Sequence, residues 1–270
     1  MLRSEEVPPQ ANETNEVAST HLITESDCHL LIFPGRGQTL FITPDCLESG
    51  SKSLESLFMY GVSHALALQG GLALHGAAFQ HAAFSPLILG DSRSGKSTLT
   101  ALALRMGAKV VSDDHLVLSR VEVTGTSVFE LESMRPDLHL RSPSHRLLPE
   151  ALALGLKPAN FNGEQRWTLH HQSNPQFQRT ANPTVILCSK IDRRLKETTV
   201  QSMAPAAVLA ELMRSSSPLF LSAKFPQERA ILMNLMLALI TRIPAFQLRL
   251  GRDLFDKPEQ TFQRLTETLS

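Results

Sequence analysis

The chain is poor in the residues and patterns that mark several classes of protein. It has three cysteines in 270 residues, and the wide spacing of Cys28, Cys46 and Cys188 provides neither a disulfide framework nor a zinc-binding pattern. We interpret all three as small, buried apolar residues of a protein in the reducing cytoplasm. The formal net charge is zero, from 26 basic and 26 acidic residues, so the charge balance does not indicate a nucleic-acid partner.

Long hydrophobic runs are missing as well. The longest covers residues 231–240 and is interrupted by Asn234, which makes it too short for a membrane span of about 20 residues. We therefore expect a buried helix there and no membrane partner. Residues 1–20 are polar, carry four glutamates and lack the apolar segment of a signal peptide, so we expect a flexible tail.

The remaining composition is that of an ordinary globular protein, with 42% apolar and 19% charged residues, and its apolar periodicity predicts an α/β fold. Residues 21–69 form a predicted small N-terminal annex that ends in a helix over Ser53–Gln69, and residues 70–270 form the predicted core domain. The core is expected to open with strands over 72–79 and 84–89, a helix over 96–106 and a strand over 109–112, followed by extended chain from residue 115. Further helices are expected partly over 143–155 and over 205–214, 227–242 and 258–269, and further strands over 128–131, 183–188 and 245–250.

The clearest motif lies between the second core strand and the helix that follows it. Residues 90–97 match the phosphate-binding pattern G-x-x-x-x-G-K-[ST] at every fixed position. Such a loop turns backbone N–H groups toward phosphate, which needs conformations open to glycine, and the helix N-terminus adds partial positive charge. We expect Lys96 to reach the β- and γ-phosphates and Ser97 to offer its hydroxyl to Mg²⁺; a chance Gly/Ser turn is the alternative. The predicted nucleotide-binding residues are Gly90, Asp91, Ser92, Arg93, Ser94, Gly95, Lys96 and Ser97.

An acidic pair, Asp113 and Asp114, follows the next predicted strand. The helix carries the chain about 16 Å away from the loop, and the strand brings it back by about 13 Å. The pair is therefore expected beside the loop, at the carboxyl edge of a neighbouring strand, where ligands of open α/β sheets bind. Two carboxylates there suit two tasks, since one can hold Mg²⁺ and the other can accept a proton from an attacking hydroxyl or water. An acidic surface turn is the alternative.

A histidine that precedes the loop is a further candidate. If the strands over 72–79 and 84–89 form a hairpin, His75 faces roughly residue 88 and its imidazole lies close enough to contact the γ-phosphate. A half-buried structural histidine is the alternative.

Other polar features are weaker candidates. Trp167 could stack on a base or peptide, but packing is favoured, and Ser189–Asp192 is only superficially like a GTPase base-reading tetrapeptide, so we favour a strand-end turn. Several histidines could ligate a metal, but no cysteine or carboxylate stands at ligand spacing, so ordinary polar loops are favoured. These histidines are His139, His145, His170 and His171.

Taken in order, His75-Gly76, the 90–97 loop and Asp113-Asp114 resemble the catalytic domain of the HPr kinase/phosphorylase family and its relatives. The segments at residues 74–78, 112–114 and 246–254 look still more like HPr-kinase-related proteins of natural-product and sugar-polymer gene neighbourhoods. The resemblance implies an α/β fold of the HPr kinase and phosphoenolpyruvate carboxykinase type, with a mixed β-sheet P-loop core and flanking helices.

The resemblance also implies roles for individual residues. In that family the loop binds ATP, and the acidic pair accepts a proton from a serine hydroxyl and helps to hold Mg²⁺. Carried over, Asp114 or Asp113 is the implied proton acceptor, Lys96 and His75 act on the phosphate side, and Ser97 joins the acidic pair as a Mg²⁺ ligand.

Two further residues enter the predicted nucleotide site through the same resemblance. Arg141 looks like an arginine of the related proteins, with a surface arginine as the alternative. Thr98 follows Ser97 at a position where the bacterial HPr kinases usually carry glutamate.

The sequence thus favours an ATP- and Mg²⁺-dependent kinase that transfers the γ-phosphoryl group to a hydroxyl. A serine of a peptide or small protein is the acceptor that the resemblance implies, and the preference for ATP over GTP has the same origin. Two alternatives stay open: a nucleotide-dependent switch or binding module with little catalysis, and a kinase of small molecules. The resemblance also allows a homo-oligomer.

Overall fold

The structure, a computed structural model, divides the chain into two compact units, Met1–Gln69 and Gly70–Ser270. It describes residues 3–7, 20–25, 28–33, 37–41, 52–135, 137–148, 156–161, 164–171, 174–216 and 225–269. Among the described residues, no helix is both long enough and apolar enough to cross a membrane. The mixed α/β architecture expected from the sequence is confirmed.

The first unit is an antiparallel sheet with one helix. The sheet follows chain order and the helix packs against its middle strands. One strand lies within the segment expected to be a flexible tail, because pairing with its neighbour supplies backbone hydrogen bonds that its polar composition does not reveal. The rest of that predicted tail, and Cys46, lie outside the described residues. The elements are β1 (Arg3–Val7), β2 (Thr20–Glu25), β3 (Cys28–Phe33), β4 (Gly37–Phe41) and α1 (Lys52–Leu68).

The second unit carries every predicted site residue. Its elements begin with β5 (Leu72–His75), β6 (Ala77–Gln80), β7 (Pro86–Leu89), α2 (Lys96–Arg105), β8 (Lys109–Ser112), β9 (His115–Val123), β10 (Thr126–Ser133), β11 (Leu138–Leu140) and a 3₁₀ helix at Ser144–Leu147. They continue with β12 (Lys157–Phe161), β13 (Glu164–Leu169), β14 (Thr180–Ala181), β15 (Val185–Ile191), β16 (Thr199–Ser202), α3 (Pro205–Ser215), α4 (Pro226–Arg242), β17 (Ala245–Leu250), α5 (Asp253–Asp256) and α6 (Pro258–Leu269).

A six-stranded mixed sheet forms the centre of this unit, in the order β16-β17-β15-β7-β6-β8. Strands β7, β15 and β17 run parallel. Strand β6 runs antiparallel to both β7 and β8, so β7 and β8 point in the same direction. The loop after β7 and the acidic pair after β8 therefore emerge at the same edge of the sheet. The pair is one strand further from the loop than expected, because β6 lies between them.

Two smaller sheets border the central one. Strands β14, β10, β9 and β5 form an antiparallel sheet, and β11, β13 and β12 form another. The single strand predicted over residues 72–79 is wrong: the chain changes sheet at Gly76, so β5 pairs with β9 while β6 pairs with β7 and β8. An uninterrupted apolar run does not show where a strand leaves one sheet for the next.

The core lies around helix α2, which follows the 90–97 loop. Leu102 and Ala103 are fully buried, and the helix contacts β6, β8, β11 and the 3₁₀ helix. Because the helix is buried on nearly all sides, it holds the loop at its N-terminus in place. Of the helix predicted partly over 143–155, the structure shows a 3₁₀ turn at Ser144–Leu147, and residues 149–155 lie outside the described residues.

Candidate functional site

The 90–97 loop joins the fully buried strand β7 to α2. Three of its residues have positive φ angles: Gly90 at 141°, Arg93 at 66° and Gly95 at 103°. A side chain on either glycine would meet backbone or packed atoms, since a Cβ on Gly90 would lie 2.6 Å from the carbonyl oxygen of Ser189, and one on Gly95 would collide with Leu250. Both glycines of the motif are therefore required by the fold of the loop itself.

Residues of β15 support the loop from below. The Ser189 hydroxyl donates to the carbonyl of Leu89 at 3.2 Å, and its oxygen lies 3.1 Å from the hydroxyl oxygen of Ser94. Ile191 packs beside Gly95. These residues belong to the segment expected to be a strand-end turn, and their role comes from the β7–β15 pairing, which the sequence did not show.

Lys96 begins α2 and is 6% exposed. Its ammonium group donates hydrogen bonds to the carbonyls of Gly90 at 2.7 Å and Asp91 at 3.1 Å, so the Lys96 side chain lies over the 90–97 loop. Burial lowers the pKa of Lys96, while the carboxylates of Asp114 and Asp113 act to raise it. The lysine and the acidic pair thus share one electrostatic environment.

Asp113 is the deepest member of the pair, with 3% of its surface exposed. Burial raises its pKa to about 7, and the neighbouring charge of Asp114 adds to the shift. A hydrogen bond from the backbone N–H of His139, at 3.1 Å to Oδ2, favours the charged form, and so does the nearby Ser97 hydroxyl. Ser97, the last residue of the loop, therefore lies close to the acidic pair.

Asp114 is more exposed and lies between two imidazoles. His75 Nδ1 is 2.9 Å from its Oδ1, and His115 Nδ1 is 3.0 Å from its Oδ2. Burial acts to raise the pKa of Asp114, but contacts with His115 and His75 outweigh it and hold the pKa well below its usual range. The environment therefore drives the pKa values of the two adjacent aspartates apart, which is a common feature of sites that handle protons.

His75 is placed at the site by a different strand pairing from the expected one. The expectation that it faces residue 88 is wrong, because Ala77 is the partner of Ile88. His75 instead pairs with His115 across β5 and β9, and the backbone N–H of Gly76 donates to the carbonyl of Asp114 at 2.9 Å. The histidine thus contacts the acidic pair. His115 was not among the predicted site residues, and its position directly after Asp114 was the only signal for it.

The oxygen atoms gathered here fit a magnesium ion. Hydroxyl and carboxylate oxygens are the ligands that Mg²⁺ prefers, and Ser97, Asp113 and Asp114 provide both kinds. Within the described part of the chain, Asp113 Oδ1 is buried without a hydrogen-bond partner. A buried oxygen of this kind costs stability unless a donor or a cation satisfies it.

The other residues predicted to bind the nucleotide differ in how exposed they are. Ser92 is exposed, as is Asp91. The Thr98 hydroxyl is buried and lies 2.7 Å from that of Ser144, so it links α2 to the 3₁₀ helix. Arg141 directly follows β11, two residues after the His139 N–H that binds Asp113, and its role stays a prediction.

The weaker histidine candidates also have defined surroundings. His145 stacks on Trp167 with ring centroids 3.9 Å apart, and Trp167 packs on the core. The carboxylate of Asp137 lies between His170 Nδ1 at 3.0 Å and His171 Nδ1 at 2.9 Å. The sequence showed no carboxylate near those two histidines because Asp137 is brought to them by the pairing of β11 with β13.

Comparisons with known proteins identify only a distant similarity. No protein-family model and no curated protein matches the chain. Among solved structures, the chain is similar to an HPr(Ser) kinase/phosphatase from Coxiella burnetii, with 10% identity and a TM-score of 0.35 over 73% of this chain and 97% of the other. A similarity this low leaves the function to be argued from the residues of this chain.

Proposed function

We propose that the protein is an ATP- and Mg²⁺-dependent phosphotransferase that moves the γ-phosphoryl group to a hydroxyl, with a serine of a peptide or small protein as the favoured acceptor. The observation that carries the proposal is that the 90–97 loop and the acidic pair emerge at the same edge of the central sheet, with Ser97 close to Asp113. Phosphoryl transfer needs a loop that binds the phosphates. It also needs carboxylates that hold a metal ion and accept a proton.

The phosphate side of the reaction would be served by the loop and its lysine. Backbone N–H groups at the start of α2 favour bound anions. Lys96 already lies over the loop, where its two acceptors are backbone carbonyls. Exchanging those carbonyls for phosphate oxygens replaces neutral acceptors with charged ones, which adds attraction between opposite charges to each hydrogen bond.

Ser97 and Asp113 would hold the magnesium ion. Asp114 would be a further ligand, either directly or through a bound water. A magnesium ion supplies positive charge to the phosphates and offsets the charge that develops during transfer. It would also satisfy Asp113 Oδ1, the buried oxygen without a partner among the described residues. A cation beside Asp113 favours its ionised form, which burial alone opposes.

Asp114 is the better candidate for the proton acceptor. It is 31% exposed at its side chain, so an incoming hydroxyl can reach it, while Asp113 is buried. His75 and His115 contact one oxygen each and fix the direction of the carboxylate. Its lowered pKa keeps it ionised at neutral pH, so it can accept a hydrogen bond from the incoming hydroxyl and then its proton.

The exposure of His75 and Asp114 at the sheet edge supports a peptide or protein acceptor. The side chain of His75 is 42% exposed beside the partly exposed Asp114. A small-molecule kinase would be expected to enclose its acceptor in a pocket. The preference for serine comes from the resemblance of the motifs, and the position of the carboxylate agrees with any acceptor hydroxyl.

The test is transfer of label from γ-labelled ATP, with Mg²⁺, to a serine peptide library and candidate small proteins. Asp114→Asn is expected to lower transfer by about 10²–10⁴-fold, the usual range for general-base catalysis, and to leave ATP binding in place. Asp137→Asn is the matched control, since Asp137 also lies between two imidazoles, and it should keep most of the activity. Transfer that persists after both Asp113 and Asp114 become asparagine would overturn the proposal.

A further inference from the structure

His75, Asp114 and His115 form a compact group whose members converge on one point. His75 and His115 are cross-strand partners in the β5–β9 register, and their rings meet edge to face with centroids 5.7 Å apart. One ligand atom from each of the three residues lies within 4.8 Å of the others. Within the described residues this is the one group of three such side chains that converges so closely.

We propose that this group binds a transition-metal ion of the zinc class, through two imidazoles that take no part in holding Mg²⁺ and through Asp114, the one residue that a Mg²⁺ ion would also use. Two imidazoles and one carboxylate are a ligand set that zinc commonly takes, with a fourth position open to water or substrate. Magnesium strongly prefers oxygen and binds imidazole poorly. The binding stands by itself, whereas its effect on phosphoryl transfer rests on the proposed function.

The geometry is close to what such an ion requires. Zinc bonds of about 2.0–2.1 Å in a tetrahedron put neighbouring ligand atoms roughly 3.3 Å apart. The His75–Asp114 and His115–Asp114 contacts are already 2.9 and 3.0 Å. Because no pair of ligand atoms exceeds 4.8 Å, small rotations of the side chains complete the site. The backbone needs no change, since the two histidines are fixed by strand pairing.

The state of His115 favours a metal over a purely orienting role. Its Nδ1 is buried and makes no well-directed hydrogen bond among the described residues, although Asp114 Oδ2 is 3.0 Å away. A buried nitrogen of this kind costs stability unless something satisfies it. A metal ion at the centre of the group would use its lone pair, and one imidazole would already suffice to orient Asp114.

Occupation of this site would have a consequence for the proposed kinase. A zinc ion bound to Asp114 would remove the carboxylate that accepts the hydroxyl proton, while the Ser97 and Asp113 side chains would stay available to Mg²⁺. Zinc would therefore inhibit transfer without displacing the nucleotide. This inhibition would not be competitive with ATP.

The experiment is equilibrium dialysis of the full chain, without nucleotide, against buffered Zn²⁺, with metal content read by mass spectrometry. Wild type should bind about one zinc ion per chain, and His115→Ala should weaken the affinity by roughly tenfold or more. His171→Ala is the matched control, because the His170–Asp137–His171 group has the same composition without the same convergence, and its zinc binding should equal that of wild type.

A second readout keeps the result clear if a variant is unstable. Co²⁺ bound at the site should give the intense visible absorption of a tetrahedral ion in wild type and in His171→Ala, and lose it in His115→Asn. No zinc binding by wild type, or equal loss in the His115 and His171 variants, would overturn the site. Zinc binding by a protein that also shows no kinase activity in zinc-free buffer with Mg²⁺ would support the site and count against the proposed function alone.

Discussion

Ser94 and Ser189 lie 95 positions apart in the chain, yet their hydroxyl oxygens are 3.1 Å apart beneath the phosphate-binding motif. The Ser189 hydroxyl donates its hydrogen bond to the carbonyl of Leu89 at 3.2 Å, so the Ser94 hydroxyl is the donor of the shared bond. Through Ser189, which lies on the neighbouring strand β15, the pair connects the last residue of β7 to the loop that follows β7. The conformation of the loop thus depends on a contact whose second member, Ser189, lies outside the motif.

Removing this connection should weaken nucleotide binding without unfolding the protein. Ser189→Ala loses a buried hydrogen bond worth about 1 kcal/mol, so we expect an increase of roughly three- to tenfold in the Kd for Mg-ATP, measured by titration calorimetry. Ser85→Ala is the matched control, because Ser85 is also buried and its hydroxyl has no partner within the described residues. Equal effects of the two substitutions would show that the Ser94–Ser189 contact does not support the loop.

The glycine at residue 95 provides a test of the loop shape. Gly95 and Gly107 both have positive φ angles, 103° and 83°, so alanine costs strain at each. Only at Gly95 does the new Cβ collide with Leu250, whereas at Gly107 nothing lies within 4 Å. Gly95→Ala should abolish measurable Mg-ATP binding, while Gly107→Ala should lower the melting temperature slightly and bind ATP normally. Retained binding by Gly95→Ala would contradict the proposed role of the loop.

Local sequence was sufficient to place most of the elements that build the site. The helix after the loop was predicted over 96–106 and is found at Lys96–Arg105, and the strand before the acidic pair is found at Lys109–Ser112 as predicted. These succeed because a short apolar run, a motif and a glycine stop are all local signals. The pairing of His75 was missed because β5 and β6 belong to different sheets, and sheet membership depends on distant strands.

The same limit explains the residues that sequence reasoning did not select. Ser189 and His115 have no motif of their own, and Asp137 lies more than thirty positions from the histidines that it contacts. Each gains its surroundings from strand pairs far apart in the chain, such as β7 with β15 and β5 with β9. A single sequence shows which side chains can do chemistry, whereas the contacts that tune them are tertiary.

The lysine of the motif should decide nucleotide affinity. Lys96→Ala removes the buried ammonium group that lies over Gly90 and Asp91. Loss of a buried charged partner typically costs about 2–5 kcal/mol, so Mg-ATP binding should weaken by more than about thirtyfold in calorimetry. Lys109→Ala, at an exposed lysine that opens β8, should bind as wild type does. Unchanged binding in Lys96→Ala would mean that the 90–97 loop is not the nucleotide site.

The buried carboxylate of Asp113 should make the protein less stable as pH rises. Its pKa is raised from 3.8 to about 7 in the folded state, chiefly by burial and then by Asp114. The folded chain therefore holds a proton that the unfolded chain releases between these values. Folding stability contributed by the protonated form is complete below pH 3.8 and is lost progressively up to about pH 7. Above that range, the folded protein keeps an ionised group that would be more stable in water.

Asp113→Asn should remove this penalty, because the amide is neutral at every pH and its oxygen can still accept the His139 N–H. In metal-free buffer, the variant should melt at a higher temperature than wild type, and the difference should widen between pH 5 and pH 7 and stay constant above it. The limiting slope is about 1.4 kcal/mol per pH unit for one proton. Asp256→Asn, at an exposed aspartate, controls for the change in net charge. A difference in melting temperature that does not vary with pH would show that Asp113 is ionised throughout. Added Mg²⁺ should narrow the difference if Asp113 is its ligand, because the ion stabilises the carboxylate of wild type alone.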